Sequence, residues 1–178
     1  MNERQSLLHS TIRLSGVVPQ SVVDGTGLRF TLFTQGCPHR CPQCQNPHTH
    51  AYGGGKLYKL DDLAALYKKN PLLDGVTFSG GEPFCHPAQC AAFARTVKEA
   101  GGSVWCYSGY TLEQLTEAAK KNPAAAEFLQ LIDVLVDGRY IHAQKNHTLK
   151  FVGSDNQRII DLKQMRENKS DQIILYPV

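Results

Sequence analysis

The sequence predicts an α/β fold, specifically an open, partial TIM-like barrel of about five or six βα units. Three observations carry that expectation. Short runs rich in β-branched and aromatic residues alternate with segments of helical period. Four of those runs end in loops that bear cysteine, glycine or polar residues. A chain of 178 residues is also short of the ~250 that a closed eight-fold barrel takes. Strands alternating with helices call for right-handed βαβ crossovers and a parallel sheet. In such sheets ligands gather at the carboxyl ends of the strands.

Ile12 to Val18, with Val22 and Val23 beyond Pro19, reads as an extended lead-in strand or hairpin. Asp24-Gly25-Thr26-Gly27 is a turn, since its two glycines allow positive φ. Leu28 to Thr34 is a strand in which Phe30, Leu32, Thr31 and Thr34 suit a pleated, buried surface. Gly36 ends it, and Pro38 and Pro42 stiffen the loop that follows. Asn46-Pro47 and Gly53-Gly54-Gly55 mark irregular chain; the triple glycine lacks the Lys-Ser/Thr ending of a phosphate loop.

A helix follows from about Asp61 to Lys69, with Leu60, Leu63, Ala64 and Tyr67 on one face. Gly75 to Ser79 is the second strand, running into Gly80-Gly81-Glu82-Pro83. Pro87 suits a first helical position, and an apolar stripe runs from Ala91 through Phe93, Ala94 and Val97 toward Gly101-Gly102. Ser103 to Tyr107 is a third strand. Thr111 and Gln114 form a capping box for a helix that Pro123 interrupts or restarts. Asp133 to Gly138 is a fourth strand. Leu149 to Val152 is a candidate fifth, Arg158 to Leu162 a strand or helix start, and Ile173 to Tyr176 a last strand.

Composition bounds the function. One domain over residues 1–178 is expected from the length. A hydrophobic content of 42% and a charged content of 20% are those of an ordinary soluble domain. A net charge of +3 with no basic run asks for neither nucleic acid nor a membrane surface. The polar start, Met1 to Ser6, leads into no apolar signal core, and no apolar run nears the ~20 residues of a membrane span. The expected location is the cytoplasm, so the six cysteines are read as metal ligands and isolated thiols rather than disulfides.

Cys37, Cys41 and Cys44 stand on one loop with spacing C-x-x-x-C-x-x-C. Three thiolates can converge on zinc, with His39, His48 or His50 completing a Cys3His set. They can equally hold three irons of a four-iron cluster and leave the fourth open to a ligand. The loops after the other strands favour the cluster, because all would face the same pocket. Gly80-Gly81-Glu82 is by itself a plain strand-to-helix turn, yet two glycines also admit a ligand to the backbone, and Glu82 can accept from an ammonium group. Asp137 and Arg139 either contact such a ligand or pair with each other. Cys85, Cys90 and Cys106 are scattered, as core thiols are.

The cysteine loop and the Gly-Gly-Glu segment, in order and each after a strand, resemble the radical S-adenosylmethionine superfamily. Asp24 to Phe30, Cys44-Gln45-Asn46-Pro47, Trp105 to Tyr110 and Gly153 to Asp161 narrow the resemblance. From about Val17 onward the chain is similar to the glycyl-radical activating family that serves anaerobic ribonucleoside-triphosphate reductases. The resemblance implies a [4Fe-4S] cluster on Cys37, Cys41 and Cys44, with S-adenosylmethionine on the open iron. It places Gly80, Gly81 and Glu82 at the methionine end and Gln43 near adenine. Cys44, Gln45, Tyr107, Ser108, Asp137 and Arg139 are the other expected cofactor contacts. An external one-electron reductant would drive cleavage to a 5′-deoxyadenosyl radical, which takes hydrogen from a glycine of the glycyl-radical ribonucleotide reductase. No side chain need act as general acid or base. Two departures from the pattern are Gln43, where an aromatic residue is frequent, and Val152, where an arginine usually stands. Asp24 to Gly27 and the segment near Gly153 are the expected docking loops. The alternatives are an activating enzyme of pyruvate formate-lyase or another glycyl-radical enzyme, and, in a different class, a zinc-stabilised interaction module.

Overall fold

The computed structural model describes Leu7 and residues 9–178. The chain opens with β1 (Thr11–Ser21), which pairs antiparallel with both β2 (Arg29–Thr34) and β3 (Lys56–Lys59). A helix, α1 (Leu60–Lys68), then returns the chain to β4 (Gly75–Gly80), which lies parallel to β2. Helix α2 (Pro87–Glu99) leads to β5 (Ser103–Ser108), and α3 (Leu112–Ala119) with α4 (Pro123–Leu131) leads to β6 (Val134–Asp137), each strand parallel to the last. β7 (Arg158–Asp161) closes the sheet antiparallel to β6 and runs directly into α5 (Leu162–Glu167). The sheet order is β3-β1-β2-β4-β5-β6-β7.

The α/β class and the open sheet agree with expectation, but the sheet is mixed. Its parallel part holds four strands, β2, β4, β5 and β6, rather than five or six repeated units. The reason lies in the connections. Residues 22–28 between β1 and β2 hold no helix, and the β6–β7 connection holds only the short turn His142–Gln144. Without a crossover helix to carry the chain over the sheet, each strand must return antiparallel.

Alternation along the strands builds two apolar layers. Phe30, Leu32, Val76, Phe78, Cys106 and Leu135 face the helices. There Phe93 of α2 lies 5.9 Å, 6.1 Å and 6.2 Å from the rings of Phe30, Tyr67 and Phe78. The opposite face carries Trp105, Val134, Val136 and Ile159 under Phe151 and Tyr176. Local signals behave as read: the Thr111–Gln114 capping box forms, and the helix restarts at Pro123, where Asn122 supplies a cap that sequence reasoning had not assigned. Leu149 to Val152 form no strand, because Phe151 adopts a positive φ of 63° that breaks extended chain. Ile173 to Tyr176 make a single bridge, Ile160 to Leu175. β3 carries little local signal, and its pairing with Thr11–Leu14 is what makes it a strand. No helix among the described residues is long and apolar enough to cross a membrane.

Candidate functional site

The parallel strands β2, β4, β5 and β6 end on one side of the sheet, and a cavity of about 440 Å³ opens there. Its wall is built from the cysteine loop, Ser79 to Gly81, Tyr107 to Gly109, and Gly138 with Tyr140. Four strand exits thus meet at one space, as the parallel topology requires.

The cysteine loop is tied to its own far end. Gly36 N–H donates to Thr49 O at 2.8 Å, and Cys37 N–H to His50 O at 3.2 Å. Arg40 and Gln43 sit at φ of 47° and 53°. Left-handed backbone costs a non-glycine residue about 1–2 kcal/mol, so the surroundings must hold this loop in shape. The Asn46 N–H donates to the Cys44 sulfur at 3.4 Å. Burial pushes the Cys37 and Cys41 thiols up; Cys44 adds to the rise at Cys41, while Arg139 opposes it.

These residues fit an iron–sulfur cluster. Three soft donors share one cavity wall, and Cys44 already receives an N–H partner of the kind that stabilises a bound thiolate. Among the described residues no three His, Cys, Asp or Glu side chains gather around a point where a single ion would sit. A closed zinc site needs four donors at 2.0–2.3 Å. Of the three loop histidines, His39 is committed to Glu82 and His48 is exposed, while His50 lines the cavity with a buried Nε2 that has no partner among the described residues.

The two glycines of the next loop have a packing reason. A Cβ on Gly80 would lie 2.7 Å from the Phe33 backbone, and one on Gly81 would lie 2.4 Å from Gly36 O. The exits of β2 and β4 therefore touch backbone to backbone, held by Gly81 N–H to Thr34 O (2.8 Å) and Glu82 N–H to Gly36 O (2.9 Å). This contact keeps both Gly80 and Gly81 in the cavity wall beside the cysteines.

The family model for the 4Fe-4S single cluster domain matches residues 23–160. The anaerobic ribonucleoside-triphosphate reductase-activating protein of Vibrio cholerae is 35% identical over 79% of this chain and 92% of its own length. The chain belongs to this activating family. Its Escherichia coli K12 relative is 32% identical over 82% of this chain and 96% of its own, and that of bacteriophage T4 is 29% identical over 80% and 90%. The matched span contains every cavity-wall residue named above and all six cysteines.

Within this activating-family chain, the cavity wall brings together Cys37, Cys41, Cys44, Gln45, Gly80, Gly81, Tyr107 and Ser108 of the expected contacts. Burial pushes the Tyr107 phenol up, so it is a neutral hydroxyl at the wall. The other four stand elsewhere. Gln43 is exposed and off the wall, which follows from its left-handed backbone. Arg139 is exposed, and Asn156 holds its carbonyl at 2.8 Å. Asp137 is 1% exposed and pairs with Arg158, not Arg139; Arg158 Nε donates to its Oδ1 at 2.9 Å and Leu112 N–H to its Oδ2 at 2.7 Å. Glu82 is fully buried, and its carboxylate accepts from Phe84 N, Ser108 Oγ, Gly109 N and His39 Nε2. It has no free face to offer an ammonium group.

The two loops expected to dock the partner both reach the cavity, through Asp24 and Gly153. Ser154 accepts from Ile141 N–H at 3.1 Å, and Gln157 accepts from Gly153 N–H while donating to Gly138 O at 3.0 Å. These side chains clamp the β6 exit that forms one cavity wall, so they point inward. The Asp24 to Gly27 turn lies on Trp105, with Thr26 Oγ1 3.1 Å from the Tyr176 hydroxyl. Tyr140, Gln157 and Arg158 are contributors to which sequence reasoning gave no role at the site, and His39 was weighed only as a zinc ligand. The Asn156-Gln157-Arg158 run carried a family signal, but nothing local in it named Gly138 or Asp137 as its partners.

Proposed function

We propose that this chain is a radical S-adenosylmethionine enzyme that generates the glycyl radical of an anaerobic ribonucleoside-triphosphate reductase. The observation that carries the reading is one cavity whose wall brings three cysteine thiols beside the Gly80-Gly81 backbone. Cys37, Cys41 and Cys44 would hold a [4Fe-4S] cluster, and the protein works as one domain over residues 1–178. When bound, the cluster and S-adenosylmethionine supply reductive cleavage of the sulfonium–C5′ bond and a 5′-deoxyadenosyl radical that takes hydrogen from the reductase glycine. An external one-electron donor serves the cluster.

This chain's residues bind, orient and exclude water. The Ser79 to Gly81 backbone, open because both glycines lack Cβ, takes the methionine end. Gln45 and the Tyr107 hydroxyl line the space for the nucleoside. Gly138, held by Gln157, and Tyr140 complete the wall. The parallel strands curve around the ligand as part of a barrel, and the open side admits a polypeptide loop of the reductase. A reducing cytoplasm suits the six free thiols.

The test is electron paramagnetic resonance of anaerobically reconstituted, reduced protein, with and without S-adenosylmethionine, followed by incubation with the reductase. A cluster signal that changes with the cofactor, then a glycyl radical on the partner, is expected. Cys41→Ala abolishes both. A cluster signal indifferent to the cofactor removes the radical mechanism, and bound zinc without iron uptake removes the cluster.

A further inference from the structure

The Glu82 carboxylate is the meeting point of three chain segments. Phe84 N–H donates to its Oε1 at 3.1 Å from its own loop. From the β5 exit, Ser108 Oγ donates at 3.0 Å and Gly109 N–H at 2.9 Å. From the cysteine loop, His39 Nε2 lies 2.8 Å from Oε2. A carboxylate already holding three donors accepts here, so Nε2 carries the hydrogen. The His39 side chain is only 3% exposed although it sits between Cys37 and Cys41 on a surface loop.

Two further contacts show that a place is built for this ring. Tyr110 packs edge-on at 4.4 Å between ring centres. A Cβ on Gly109 would lie 2.3 Å from His39 Cδ2, so glycine at 109 is what lets the imidazole reach the carboxylate. A backbone held at left-handed φ at Arg40 and Gln43 needs such an outside restraint.

We propose that His39 and Glu82 form a buried latch that fixes the cysteine loop against the exits of β4 and β5. Glu82 is then a positioning residue for the metal-binding loop rather than an acceptor for the ligand's ammonium group. The latch sets where Cys37 and Cys41 stand, and it acts before any cofactor arrives. Its readout in loaded protein rests on the cluster reading above, while its readout in metal-free protein does not.

The experiment compares wild type, His39→Ala, His39→Gln, Glu82→Ala and the double alanine variant. Gln at 39 can place an amide N–H where Nε2 stands. In reconstituted protein, iron loss to a chelator should quicken about tenfold or more in His39→Ala, the weight of one hydrogen bond to a charged group. His39→Gln should recover most of the loss. The double variant should be no faster than Glu82→Ala, because the two side chains act as one unit. In metal-free protein, alkylation of Cys37, 8% exposed in the fold, should rise in His39→Ala and fall back in His39→Gln. Unchanged iron loss and alkylation in His39→Ala, or additive effects in the double variant, would overturn the latch. So would normal iron retention with lost cofactor affinity in Glu82→Ala, which would return Glu82 to the ammonium. Should wild type take up no iron, the function proposed above fails, and the alkylation series still decides the latch.

Discussion

Replacing Arg158 by methionine removes the guanidinium that neutralises Asp137 while keeping a side chain of similar length. Asp137 is 1% exposed and would be left with Leu112 N–H as its remaining partner. Breaking a buried pair from one side costs about 3–5 kcal/mol, because the other charge stays desolvated. The Arg158 side chain is 33% exposed, so water can reach part of the space it leaves, and the lower end, ~3 kcal/mol, applies. Its second arm, to Glu113 with a side chain 61% exposed, adds at most ~0.5 kcal/mol after screening by solvent. At ~2–4 °C per kcal/mol for a domain of this size, Tm should fall by about 6–14 °C. Thermal unfolding followed by circular dichroism at neutral pH measures it. Arg158→Met with Asp137→Asn should regain much of the loss, since no buried charge is then stranded. A fall under ~2 °C, or a double variant no better than the single, would refute the buried-pair argument. The same variant should loosen Gly138 and Tyr140 in the cavity wall, as Asp137 ends the strand that leads to them.

Hydrogen bonds from Arg158 hold the Glu113 carboxyl down at about 2. A carboxylate with a depressed folded value stabilises the fold above its ordinary value of 4.5 and loses that contribution as pH falls toward 2. Glu113→Gln should therefore flatten a small part of the acid-unfolding curve between those limits, and an identical curve counts against the contact. Phe93→Ala empties the centre of the helix-side aromatic cluster and should cost about 3–5 kcal/mol in denaturant unfolding; a loss under ~1 kcal/mol would mean the site refills. Gly81→Ala forces the β2 and β4 exits apart, because its Cβ meets Gly36 O at 2.4 Å. A destabilisation of about 1–3 kcal/mol with weakened cofactor binding is expected, and wild-type values for both would show that the loops do not touch.

Features whose physics is local were legible without coordinates. The C-x-x-x-C-x-x-C loop, the paired glycines after β4, the Thr111–Gln114 box and the helix restart at Pro123 each depend on neighbours within a few residues. The strand pattern likewise pointed to burial of Phe30 and Leu32, because a pleated strand turns successive side chains to opposite faces. The strand exits could be assigned to one pocket because a parallel sheet puts them all at one end.

What the tertiary structure decided are the partners that arrive from far along the chain. Glu82 looked like a free carboxylate, yet its donors come from 26, 27 and 43 residues away, and burial among them changes what it can do. Asp137 and Arg139 are close in sequence, but the strand turns Asp137 inward to Arg158, 21 residues on, and leaves Arg139 in solvent. The antiparallel edges of the sheet follow from connections too short or too irregular to cross it, which no propensity at β1 or β7 records. Residue type and spacing set which groups could do chemistry; burial and long-range hydrogen bonding set which of them remain free to do it.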